Sequence, residues 1–384
     1  MAVRRLSFPD AALPARTEEL RHEVRSFLQA ELAAGSFTPS CDTWLSGHDP
    51  QFSQRLGKAG FLGLTFPAEY GGHARSALDR FVVVEELLAH GAPVAAHWIA
   101  DRQSGPSILK HGNTDMKAEI IPGIARGEVY FSIGMSEPDA GSDLANIRST
   151  GVKVEGGYRL NGTKIWTSQA HNNQYFIVLV RTTPAGETGG DRHAGMTQFV
   201  MDLRSPGVEI RPIRLLSGHH HFNEVVMSDV FVPDHMVLGT EGNGWAQVIG
   251  ELAFERSGPE RYLSTFPLLA ALVDALGPEP DPAAAAALAL LVGRLAALRR
   301  LCISVAVALD AGRTPVTEAA AVKDMGTRLE QEIGEVARWL VPFGSDERFD
   351  QLVADAVLSA PGFTLRGGTN EILRGIVARE LGVR

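Results

Sequence analysis

The sequence predicts an α+β multidomain chain: a helical N-terminal domain over residues 1–128, an antiparallel β domain over 129–240, and helices again over 241–384. Three observations predict it. Apolar residues recur at helical spacing up to about residue 127. Near residue 130 the segments become short, β-branched and separated by Gly and Asn. After Gly242-Asn-Gly-Trp245 the helical spacing returns. Helices, then strands, then helices argue for segregated domains and against alternating βαβ units.

Residues 17–32 place Leu20, Val24, Phe27, Leu28 and Leu32 on one helical face, with Thr17 as the expected N-cap ahead of acidic residues. Residues 80–90 carry Phe81, Val84, Leu87 and Leu88 before a stop at Gly91, and residues 115–126 carry Ile120, Ile121 and Ile124 before Gly127. Strands are expected over 158–167, 174–181, 197–203 and 225–232, with Gly156-Gly157 and Asn161-Gly162 as turn signals. The polar, Gly-rich stretch 183–193 reads as a solvent loop. Further helices are expected over 245–266, 283–311, 318–340 and 369–381, broken by Gly277-Pro-Glu-Pro-Asp-Pro282.

Composition narrows the function classes. Hydrophobic residues make up 45% and charged residues 21%, as in ordinary globular chains. A net charge of −9 with no clustered Lys/Arg stripe argues against a nucleic-acid surface. No run of about 18 apolar residues exists to span a bilayer, and the first residues lack the apolar core of a signal peptide. A cytoplasmic location without membrane attachment is the expectation. Cys41 and Cys302 lack metal-like spacing and read as free thiols. In His219-His-His221, neighbours on an extended segment point to opposite faces, so no metal site is expected.

The most informative stretch is Phe131-Ser-Ile-Gly-Met-Ser-Glu-Pro-Asp-Ala-Gly-Ser-Asp-Leu-Ala145, followed by Leu160-Asn-Gly-Thr-Lys-Ile-Trp-Thr-Ser168. Taken alone, the first is a loop of small residues whose hydroxyls and N–H groups suit polar ligand atoms. The second adds an indole, useful for stacking on a planar ring. Turn chemistry plus a core Trp explains the same residues without a ligand.

This pair closely resembles the flavin-binding signature of acyl-CoA dehydrogenases. Other blocks agree: Gly60-Phe-Leu-Gly-Leu-Thr-Phe-Pro-Ala-Glu-Tyr-Gly-Gly72, His221-Phe-Asn-Glu-Val225 with Val230-Phe-Val-Pro233, Gly242-Asn-Gly-Trp245, and Gly367-Gly-Thr-Asn-Glu-Ile-Leu-Arg374. The resemblance runs from about residue 17 to the end. It implies a helical N-terminal domain, a β middle domain and a C-terminal helical bundle, in a tetramer. It implies FAD as cofactor, an acyl thioester on CoA or a carrier protein as substrate, and electron transfer flavoprotein as oxidant. Ile133, Met135 and Ser136 would meet the flavin ring, and Trp166 would lie against its dimethylbenzene side. Ser168 and the Thr167 backbone would bond near N5, the hydride acceptor. Thr369 and Glu371 in the tail would also reach the cofactor, and Ser142 would touch the pantetheine or nucleotide part of CoA.

The chemistry needs a base for the α proton, a carboxylate raised in pKa by burial, and a polarised thioester carbonyl. In one branch of the family the base precedes Gly-Thr in the C-terminal loop; here that residue is Gly367. In another branch, acting on longer or branched acyl chains, it sits on the first C-terminal helix, which is Glu255 here. Arg256 would support the base or the carbonyl region, and the Gly367 N–H would donate to the thioester oxygen.

Two family features are absent. Residues 272–282 replace an Arg-x-x-Phe-Gly motif that reaches a neighbouring subunit's cofactor, and residues 341–348 replace a Gly-Gly-x-Gly turn. A lost charge-assisted hydrogen bond to pyrophosphate weakens the site by roughly 1.5–3 kcal/mol. The chain therefore resembles the base-bearing subunit of the heterotetrameric members acting on steroid side chains. Two further readings stay open: a non-catalytic structural subunit, and a flavin oxidase or monooxygenase of the same fold.

Overall fold

The computed structural model describes residues 6–256 and 258–383; for residues 251–255 it gives the helical backbone, and their side chains lie outside the described residues. Chain contacts divide it into two compact units, one of Met1–Gly47, Arg75–Pro93 and Leu252–Arg384, the other of His48–Ala74 and Val94–Glu251. The N-terminal stretch thus contributes to both. No described helix is long and apolar enough to cross a membrane.

The second unit is built on a sheet of β1 (Phe131–Gly134), β2 (Thr150–Val154), β3 (Gly157–Ser168), β4 (Tyr175–Arg181), β5 (Met196–Asp202), β6 (Val208–Arg214), β7 (His220–Pro233) and β8 (Val237–Leu238). The order is β6-β7-β3-β2-β4-β5-β8, with β1 also on β4. The expected antiparallel sheet is in fact mixed. β1 runs parallel to β4, and β2 touches β4 in parallel at Thr150 and Arg181. The reason is connectivity: β1 leads into a long loop, and the β2–β3 hairpin serves as the crossover that a parallel pair requires. Phe131, Phe176, Ile177, Val178, Phe199 and Val225 fill the core together with Ile120, Ile121 and Ile124 of the helix Thr114–Ala125.

Asn161-Gly162 is no turn. It lies inside β3 at a register shift opposite Asp229, whose N–H Asn161 Oδ1 accepts at 2.8 Å. β1, β2, β6 and β8 are strands that the alternation did not reveal, because they are short or exposed.

In the first unit, the helix Ala15–Ala33 begins ahead of Thr17. Thr17 is buried and donates back to the Pro14 carbonyl at 2.6 Å, so it does not cap the helix. The helix packs on Ala77–Ala89, where Arg21 and Arg25 bind Glu86 at 2.6 and 2.9 Å. Gly91 ends that second helix at φ +58°, with a Cβ position 2.7 Å from the Ser40 nitrogen that only glycine tolerates. The long helix Val316–Leu340 packs against Pro282–Asp310, Glu347–Phe363 and Asn370–Glu380. The helix expected over 245–266 stops at Glu255, a 3-10 turn follows at Pro259–Arg261, and Phe266–Leu276 is a further helix that was not expected. Pro259 and Pro267 each lack the N–H that a continuous helix needs. The helix Glu347–Phe363 was not expected; its cap, Asp346 to the Phe349 N–H at 2.7 Å, precedes a helix that contains Pro361.

Candidate active site

In the second unit the two signature segments are fastened to each other by one buried ion pair. Lys164 on β3 is wholly buried, and its Nζ donates to the Met135 carbonyl at 3.1 Å and to Glu137 Oε1 at 2.8 Å. Glu137 also accepts the N–H groups of Arg148 at 2.6 Å and Ser149 at 3.0 Å. Burial pulls the Lys164 ammonium down to about 8. Burial pushes Glu137 up, but Lys164 and the N–H donors outweigh it and hold the carboxylate below its ordinary range. The Ile165 N–H donates to the Ser136 carbonyl at 2.9 Å, and Ser132 Oγ donates to the Ser168 carbonyl at 2.8 Å. These bonds bring Ile133, Met135, Ser136, Trp166, Thr167 and Ser168 together. Neither Lys164 nor Glu137 was singled out in the sequence, although a Lys among the inward residues of a strand is the signal.

Between Lys164 and Thr167 the β3–β7 register slips. Trp166 occupies this bulge with φ +59°, a left-handed conformation that costs a bulky residue roughly 1–2 kcal/mol. The residue is 53% exposed, with the Phe222 ring edge-on at 5.9 Å. Thr167 beside it is fully buried, and its Oγ1 has no hydrogen-bond partner. A flat aromatic ring would cover the exposed indole, so the residues present fit a flavin.

Asn223, across from Thr167, donates to the Thr167 carbonyl at 3.1 Å. Its Oδ1 takes both His171 Nδ1 and His220 Nε2, at 3.1 and 2.8 Å, and the two imidazoles stack at 4.0 Å. His221 is buried. The described residues include no group of three or more His, Cys, Asp or Glu placed to hold a metal. Cys41 and Cys302 are buried free thiols whose pKa burial pushes up.

Ser142 lies in the exposed part of the same loop, next to Asp143, which pairs with Arg192. A cleft of about 360 Å³ opens there, lined by Asp143, Asn146, Arg181, Thr188 and Arg192 among others.

The remaining expected residues belong to the first unit. Glu255 ends the helix Gly244–Glu255, and its side chain lies outside the described residues. Arg256 is 4% exposed and its Nε donates to the Gly367 carbonyl at 3.2 Å. Gly367 and Gly368 follow each other at φ +66° and +85°. A Cβ on Gly367 would stand 2.7 Å from the Arg261 guanidinium, so that buried cation fills the space a side chain at 367 would need. Lys323, fully buried, donates to the carbonyls of Gly368 at 2.9 Å and Thr364 at 3.2 Å and to Asn370 Oδ1 at 2.7 Å. Arg366 pairs with Asp42 at 2.7 Å between the rings of Trp44 and Phe363. The N–H groups of Gly367, Gly368 and Thr369 have no hydrogen-bond partner among the described residues. Thr369 caps the helix Asn370–Glu380 through the Ile372 N–H at 3.4 Å, and Glu371 is exposed in its first turn. Arg261, Lys323 and Asn370 were not singled out in the sequence.

Family models for the acyl-CoA dehydrogenase N-terminal, middle and C-terminal domains match residues 14–128, 132–230 and 279–382. The acyl-CoA dehydrogenase IpdE1 of Mycolicibacterium smegmatis is 31% identical over 390 residues, covering 95% of this chain and 97% of that protein. The acyl-CoA dehydrogenase FadE34 of Mycobacterium tuberculosis is 34% identical over 331 residues, 85% of this chain but only 45% of the relative, so the chain spans under half of that protein. Among solved structures, the Tcur3481-Tcur3483 steroid ACAD superposes with a TM-score of 0.83 at 25% identity, over 97% of this chain and 98% of that one.

Proposed function

Because the chain belongs to the acyl-CoA dehydrogenase family, we propose that it oxidises an acyl thioester between its α and β carbons, with Glu255 as the base and FAD as the cofactor. The observation that carries this reading is Trp166, a large ring left half exposed on a strained bulge of β3. Strain of that kind persists where the surrounding structure holds it for a task. FAD, when bound, supplies the acceptor for the hydride that leaves Cβ. Ile133, Met135, Ser136, Trp166, Thr167 and Ser168 would hold its ring, and Thr369 and Glu371 are the tail residues that the family resemblance assigns to it. Glu255 takes the α proton as the Cα–Cβ double bond forms. The Gly367 N–H donates to the thioester oxygen, where negative charge develops, and Arg256 holds the Gly367 carbonyl on the other side of that residue. Ser142, exposed on the signature loop, would touch the pantetheine or nucleotide part of CoA.

Glu255→Gln is the test. It should keep FAD and the thioester bound while slowing flavin reduction by roughly 10²–10⁴-fold. Reduction at the wild-type rate in stopped flow removes Glu255 from the role.

A second reading concerns assembly and substrate. Leu290, Val292, Trp339, Phe343 and Leu365 are exposed on the C-terminal helices and their connections, apolar surface that a neighbouring subunit would cover. With the missing Arg-x-x-Phe-Gly, this favours a tetramer with a second acyl-CoA dehydrogenase subunit, the kind of pair that the name of the steroid ACAD neighbour joins. A bulky or steroid-like acyl group follows from the helix-borne base, and electron transfer flavoprotein is the oxidant. Native mass and FAD content, with and without the partner, decide the assembly: a lone tetramer with one tightly held FAD per chain rules the mixed one out.

A further inference from the structure

We propose that Lys323 is a positioning residue for the thioester carbonyl, bonding the Thr364 and Gly368 carbonyls on either side of Gly367 and so holding the turn that carries the Gly367 N–H. This rests on the reading that the turn at Gly367 binds that carbonyl.

The argument begins with the backbone. Two successive glycines, at φ +66° and +85°, make the turn the most deformable kind of chain, yet its N–H groups must be aimed for the reaction. A peptide unit is planar, so anchoring its C=O fixes where the following N–H points. Arg256 anchors the Gly367 carbonyl, which sets the Gly368 N–H. Lys323 anchors the Gly368 carbonyl, which sets the Thr369 N–H, and also the Thr364 carbonyl ahead of Gly367, so the Gly367 N–H lies between two backbone points held by one cation.

An ammonium offers three donors, and among the described residues its acceptors include three oxygens at 2.7, 2.9 and 3.2 Å: Asn370 Oδ1, the Gly368 carbonyl and the Thr364 carbonyl. They come from the residue after the helix Glu347–Phe363, from the middle of the Gly-Gly-Thr turn and from the first residue of the helix after it. One buried cation therefore ties the turn's entrance, apex and exit to the helix Val316–Leu340. Asn370 is itself fixed by Thr327, whose Oγ1 accepts its Nδ2 at 3.2 Å and donates to the Lys323 carbonyl at 2.9 Å. Lys323 sits in the buried stripe of that helix, where an apolar side chain would serve packing without the cost of burying a charge.

The test reads carbonyl polarisation directly. Acetoacetyl-CoA is bound to the holoenzyme, and its ionisation to the enolate is titrated through the long-wavelength absorbance of the enolate against the flavin. Equilibrium ionisation does not depend on which residue carries the proton away. Lys323→Met should make the enolate form about tenfold less readily and slow flavin reduction by acyl-CoA about ten- to a hundredfold, less than the 10²–10³ that follows outright loss of a donor. KM should change less than about threefold.

Unchanged ionisation and reduction in a folded, FAD-loaded Lys323→Met enzyme overturn the proposal. If that variant fails to fold, Asn370→Ser removes one of the three acceptors and should shift the ionisation the same way by a smaller factor; no shift there overturns the proposal too. Failure of the wild-type enzyme to favour the enolate would overturn the reading of the turn itself, and is distinguished by appearing before any substitution is made.

Discussion

The turn at Met135–Glu137 and the turn at Gly367–Thr369 solve one problem in different ways. Each must hold a short stretch of backbone still, and each uses a fully buried lysine that donates to a main-chain carbonyl: Lys164 to Met135 and Lys323 to Gly368. Lys164 works inside a sheet. The β3 ladder already fixes its backbone, and Glu137 supplies an opposite charge at 2.8 Å. Lys323 works on a glycine turn with no ladder, and gathers oxygens from either side of Gly367. A sheet needs one bolt across it, whereas a glycine turn must be gripped residue by residue. Arg366, Gly367 and Gly368 are accordingly each held by a different group, Asp42, Arg256 and Lys323.

The comparison breaks first at Lys164. Lys164→Met leaves Glu137 as a buried carboxylate without its cation and should cost about 3–5 kcal/mol in urea unfolding. Glu137→Leu in the same chain should recover a large part of that loss. A coupling energy near zero in the four-way cycle would mean that the pair does not fasten the loop.

The next effect concerns Glu330, fully buried near the second turn, where it accepts the Ser264 N–H at 2.8 Å. Burial raises its carboxyl from 4.5 to about 7, and the nearby Arg366 only partly opposes this. The folded chain then keeps a proton that the unfolded chain releases above about 4.5, so stability from this group is present below that pH and is lost as pH rises through about 7. The loss is up to about 3 kcal/mol, and Glu330→Gln should remove it. Chemical denaturation at pH 5 and pH 8 measures the slope; equal slopes in the two proteins would place the titration elsewhere.

The smallest effect sharpens the picture of the sheet-side turn. Trp166→Gly should be more stable than Trp166→Ala by roughly 1 kcal/mol, because only glycine is at ease at φ +59°. Both variants should hold FAD more weakly than the wild type, since both lose the ring. If Ala equals Gly, the bulge relaxes and the strain is not stored there.

Much of this was legible in one dimension. The helical, strand and helical texture reads off the spacing of apolar residues, and the motif pair named the loops of the site. Even Lys323 and Glu330 left a trace, as charges within the buried stripe Ala319, Lys323, Gly326, Glu330, Ile333 and Ala337 of one helix. What they touch was not legible. The Lys323 to Gly368 bond spans 45 positions, and nothing in the spacing of one helix names a carbonyl on another segment.

The sequence by itself determined which residues are apolar, where proline and glycine end helices, and that the chain carries its family's motifs in order. Only the tertiary structure decided that β1 lies parallel to β4, that a bulge turns Trp166 outward while Thr167 stays buried, and that a lysine rather than a carboxylate grips the glycine turn. The reason is that local propensity acts over a few residues. Strand register, the exposure of a bulged side chain and the partners of a buried charge are all set by desolvation and hydrogen bonding between segments that meet only when the chain has folded.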